Sequence, residues 1–81
     1  MLHPDLAALL KSRISIIADH EFRDRDSDAH LEALKQVSEQ IMKWHRTHQG
    51  TLPARLEHFL SGCSYDKALR FLESDGTWSG H

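Results

Sequence analysis

Along residues 27–50 the apolar positions recur in alternating steps of four and three. His30, Leu34, Val37, Ile41, Trp44 and His48 make a seam, with Leu31, Ser38, Met42 and His45 along one flank. This spacing predicts an amphipathic helix over about 28–48, roughly 30 Å long, laid against other helices. Upstream, Leu6, Leu9, Leu10, Ile14 and Ile17 follow the same period, and Ile16 and Ala18 widen the arc. His3-Pro4-Asp5 suits a helix start, because proline fits the first turn and an acid there meets the positive end of the helix dipole. A first helix over about 4–21 follows. The intervening residues 19–28 alternate Arg and Asp with only Phe22 apolar, the composition of a solvated connection or a frayed helix end. Asp26 or Ser27 is placed to cap the second helix, and Phe22 is expected to fold back over Leu31. Two long helices joined this way pack as an antiparallel hairpin.

Gly50 follows the second helix, with the freedom to adopt positive φ. Leu56, Phe59 and Leu60 then predict a short helix over about 53–61, closed by Gly62. Tyr65, Ala68, Leu69 and Leu72, with Phe71 alongside, predict another over about 65–73, capped by Ser64. No segment alternates with the period of a strand. The expected fold is all-α: a long antiparallel hairpin capped by a short helix–turn–helix, forming a single domain over residues 1–74. The tail 75–81 has turn composition and is expected to be flexible, with Trp78 near enough to tuck onto the bundle.

Composition narrows the function classes. Eighty-one residues, 40% apolar and 27% charged, make one small globular domain whose core yields little surplus stability. Self-association is therefore a natural expectation. The net charge is −2 and the basic residues are scattered, which disfavours nucleic acid as a partner. Arg55, Lys67 and Arg70 on the short helices are a meagre phosphate footprint. Seven histidines carry the charge towards about +5 when protonated. The start of the chain lacks a secretory pattern, and no stretch approaches the ~20 apolar residues of a membrane span. Cytoplasmic is the expected location.

Three constellations invite chemistry. Asp24, Asp26 and Asp28 have the opening spacing of a calcium loop, but Ala29 stands where the turn requires Gly and Lys35 where a bidentate Glu is required. His45 and His48, three apart on one helical face, can address a single metal, with His3 or Asp5, or Glu57 and His58, as sources of further ligands. His30 is too far along the same helix, about 27 Å by helix rise. The lone Cys63 precedes a helix, where a thiol pKa falls, but no oxyanion hole or phosphate loop accompanies it. No cofactor and no catalytic residue is assigned, and an enzyme is not expected.

Residues 62–72, GCSYDKALRFL, resemble the turn and second helix of a tetratricopeptide repeat, with Gly at the turn, then Tyr, Ala-Leu and an aromatic. The likeness occurs once, the turn carries one extra residue, and the preceding helix lacks the Trp-Leu-Gly pattern. It implies a tight helix–turn–helix in which Ala68 permits close approach.

The reading that results is a non-catalytic protein–protein interaction or structural module that self-associates, with Tyr65, Phe71 and Trp78 as its apolar surface. The alternative is a metal-binding protein using His45 and His48. A weak nucleic-acid binder comes third.

Overall fold

The computed structural model describes residues 2–78 and consists of five helices: α1 (Pro4–Ala18), α2 (His20–Arg25), α3 (Ser27–Thr47), α4 (Ala54–Ser61) and α5 (Tyr65–Glu73). No strand occurs among the described residues. The α1–α3 pair is antiparallel. The indole N–H of Trp44, near the end of α3, donates to Oδ2 of Asp5 at 2.7 Å, while Nε2 of His30, near its start, donates to the carbonyl of Ile16 at 2.7 Å. α5 runs antiparallel along α1: Leu2 N–H donates to the Leu72 carbonyl at 3.1 Å, and at the other end Arg13 lies over the Tyr65 ring at 4.7 Å. α4 packs on α5 and meets α3 through His45.

The first helix stops earlier than its apolar period suggests. Asp19 leaves helical geometry and its side chain accepts the Phe22 N–H at 3.1 Å, starting the separate helix α2 in what the charge pattern presented as a connection. Asp26 repeats the device for α3 by accepting from Ala29 N–H. Ser64 stands at the head of α5 without a side-chain cap bond. The left-handed residue after α4 is Cys63 (φ 56), not Gly62 (φ −87). Ser64 N–H to Phe59 O and Cys63 N–H to Leu60 O complete a Schellman motif around it. Asp75 (φ 55) does the same after α5, with Gly76 N–H on the Phe71 carbonyl. The tail is therefore held as far as Trp78, whose N–H donates to Ser74 Oγ at 2.9 Å and whose ring lies 5.9 Å from Phe59. Residues 79–81 lie outside the described part.

The core sits at the closed end, where all of α4 and α5 covers the hairpin. Leu6, Ala7 and Leu10 of α1, Val37, Ile41 and Trp44 of α3, Leu56, Phe59 and Leu60 of α4, and five residues of α5 are buried in one cluster. Each buried large apolar side chain contributes about 1.5–3 kcal/mol, so this cluster carries the domain. Towards the open end the apolar period continues but the cover does not. Ile14 and Ile17 remain 38% and 43% exposed, and Leu31 64%. Phe22 lies edge-on to His30 at 5.4 Å instead of covering Leu31.

Trp44 tests this partition. Trp44→Ala should cost about 3 kcal/mol or more in urea unfolding, because it removes a buried aromatic and strands the Asp5 contact. A cost under about 1 kcal/mol would place Trp44 outside the core.

Candidate interaction face

Two polar clusters occupy the closed end, and each consumes histidines that the sequence offers as ligands. In the first, the Asp5 carboxylate receives the Trp44 indole N–H. His48 stacks on the Trp44 ring at 3.9 Å with its Nδ1–H on the Trp44 carbonyl at 2.8 Å, and His3 stands edge-on to the same indole at 5.1 Å. The Trp44 hydrogen bond holds the Asp5 carboxyl below its ordinary value, against a smaller opposing effect of burial. In the second, His45 Nε2 meets Glu57 Oε2 at 2.8 Å, and Ser61 Oγ donates to Glu57 Oε1 at 3.2 Å. His3 and Glu57 thus do approach the histidine pair, but from different sides and each beside a different member. His45 is tied to α4 and His48 to its own helix. No group of three or more His, Cys, Asp or Glu side chains placed to share a metal occurs among the described residues.

The expected apolar surface is differently placed as well. Tyr65 and Phe71 are buried, at 8% and 4% exposure, and Trp78 is half-buried against them with Arg70 over its ring. The amphipathic period of α5 turns Tyr65 and Phe71 into the α1–α5 and α4–α5 contacts, and Trp78 folds back onto Phe59, so these side chains hold the bundle together. Burial pushes the Tyr65 hydroxyl up, and its hydrogen bond with Cys63 adds to the effect.

The apolar surface that is exposed comes from the hairpin. Among the described residues the large hydrophobic side chains that stand open are Ile14, Ile17, Leu31 and Met42. Ile14 and Ile17 follow the buried Leu10 by four and seven residues, on the side of α1 that α5 covers nearer the closed end. Leu31 and Met42 share the flank of α3 that carries His45, the residue that meets α4. Ile14, Ile17 and Leu31 therefore lie where the cover of α4 and α5 ends, and Met42 lies beside the α4–α5 turn. Beside Met42, a surface cavity of about 340 Å³ opens between α3 and the α4–α5 turn, lined by Ile41, Met42, His45, Leu60, Cys63 and Tyr65. Leu31 and Met42 belong to an exposed stripe of α3 that continues through Asp28, Lys35, Glu39 and Arg46 in steps of three and four. The spacing was visible in the sequence. Leu31, expected under Phe22, is open instead, which leaves the stripe exposed along its length.

Comparison with protein-family models, with curated proteins and with solved structures found no match. The face is interpreted on its own geometry. Among the described residues no helix is long and apolar enough to cross a membrane.

The Asp5–Trp44 bond has a pH signature. A carboxyl held low in the folded state contributes stability above its unfolded pKa and loses that contribution as pH falls through the folded value. Carbon-detected titration should find the Asp5 carboxyl depressed in the parent and back in the ordinary range in Trp44→Phe, which keeps the ring and removes the donor. An unchanged Asp5 midpoint in that variant would contradict the assignment.

Proposed function

We propose that this chain is a non-catalytic protein–protein interaction module whose docking face is the exposed side of the α1–α3 hairpin, from its open end along the α3 flank to Met42. The observation that carries this reading is the position of the four exposed large hydrophobics, Ile14, Ile17, Leu31 and Met42. Ile14 and Ile17 continue the buried stripe of α1 beyond the cover of α5, whereas Leu31 and Met42 stand about 16 Å apart on the flank of α3, to the side of its buried seam. Large apolar side chains left exposed beside one another at the uncovered end of a small domain mark an interaction surface more often than ones scattered singly. The polar rim around them supplies register, which apolar contact alone does not. The histidines are structural in this reading, since His30, His45 and His48 each spend a ring nitrogen inside the chain. The single, exposed Cys63 suits a reducing compartment, and the proposal sets the module in the cytoplasm.

Site-specific photo-crosslinking in the cells that make the protein tests the face. Benzoyl-phenylalanine at Leu31 or Ile17 should give discrete adducts of higher mass, whereas the same probe at Ser12, on the outer side of α1, should give none. Equal labelling at all three positions, or none at any, would contradict the assignment.

A further inference from the structure

The geometry points to a second copy of the same chain as the occupant of the α3 side of this face, docked antiparallel. The inference rests on the docking reading above and adds the identity of the partner.

The exposed stripe of α3 runs through Asp28, Leu31, Lys35, Glu39, Met42 and Arg46. Read from the start of α3 its character is acid, apolar, base, acid, apolar, base. Read from the other end it is base, apolar, acid, base, apolar, acid. Two copies laid antiparallel and centred near residue 37 therefore meet in full complement. Asp28 faces Arg46, Leu31 faces Met42, and Lys35 faces Glu39, each pairing occurring twice about a two-fold axis. A parallel arrangement sets every charge against its own kind, so the pattern selects one orientation as well as one partner. All six side chains are exposed. Among the described residues no side-chain hydrogen bond or ion pair engages the four charged ones.

Shape supports the same pairing. Leu31 is the most exposed large hydrophobic side chain of the described residues, and the cavity of about 340 Å³ lies beside Met42. In the antiparallel register Leu31 of each copy arrives at Met42 of the other, and so at the mouth of that cavity. A protruding side chain on one half of the helix meets a recess on the other half. Such an arrangement is self-complementary only under a two-fold operation.

The scale is that of a reversible contact. The stripe spans about 27 Å of helix, and the narrow dimension of the molecule is 20 Å. The contact then covers on the order of 500 Å² per copy, at the low end of specific interfaces.

Sedimentation equilibrium on the full chain with charge-swap variants decides the question. The parent should be a reversible dimer. Lys35→Glu and Glu39→Lys should each raise the dissociation constant at least about tenfold, because each sets like charges opposite one another. An equimolar mixture of the two variants should restore the parent's mass, since each carries the charge the other now needs. Circular dichroism should show both variants folded, their sites being exposed. A parent that remains monomeric at about 0.5 mM, or a mixture that fails to restore the dimer, overturns the second copy as occupant. The crosslinks separate the two readings: adducts at Leu31 of any mass other than twice the chain leave the docking face standing with another partner, and the absence of adducts removes both.

Discussion

A mismatch of helix lengths decides which apolar positions are buried and which stay in water. α3 has 21 residues and α1 has 15, whereas α4 and α5 have eight and nine. At 1.5 Å per residue the cover is about 12–14 Å long on a hairpin whose longer arm is about 31 Å. An amphipathic stripe must be buried wherever it can be. Here the chain contains only enough helix to do that at one end. The closed end becomes a core of leucines and aromatics, and the open end keeps Ile14, Ile17 and Leu31 in water.

Polar contacts near both ends hold the hairpin in register, so that the open end persists without a cover. Near the closed end Trp44 reaches across to Asp5; near the open end His30 reaches the Ile16 carbonyl, which also accepts the Asp19 N–H that terminates α1. Side-chain donors thus satisfy groups that a helix end would otherwise leave to solvent. With the register fixed at two points about 21 Å apart along α3, its exposed flank is a rigid surface and not a fraying one. Its charges then stand in a constant order, the requirement for orientation-specific recognition.

The helices were legible in the sequence because period and capping residues agree along most of the chain. Leu6 and Leu10, Val37, Ile41 and Trp44, and Leu56 with Phe59 and Leu60 all lie inside, as their spacing requires. Two things were not legible. The break at Asp19 depends on a side-chain cap competing with helix continuation, a contest that composition alone does not decide. The exposed face depends on where helices begin and end relative to one another in space, which periodicity does not encode. Tyr65 and Phe71, expected at the surface, therefore fill the core, and Leu31, expected under Phe22, stands open. The histidine pair misled for a related reason. Spacing puts His45 and His48 on one helical face, but Glu57 and the Trp44 carbonyl, neither of them predictable as a competitor, claim one nitrogen each.

Isotope-filtered nuclear Overhauser spectroscopy on a mixture of labelled and unlabelled chains tests the central claim most directly. Within one chain Leu31 and Met42 lie eleven residues apart on a single helix, about 16 Å by helix rise, too far for a methyl–methyl contact. The account predicts an intermolecular cross-peak between the Leu31 methyls of one copy and the Met42 methyl of another, growing with concentration. Cross-peaks from Leu31 to Leu31, or no intermolecular methyl contact in a concentrated sample, would contradict it.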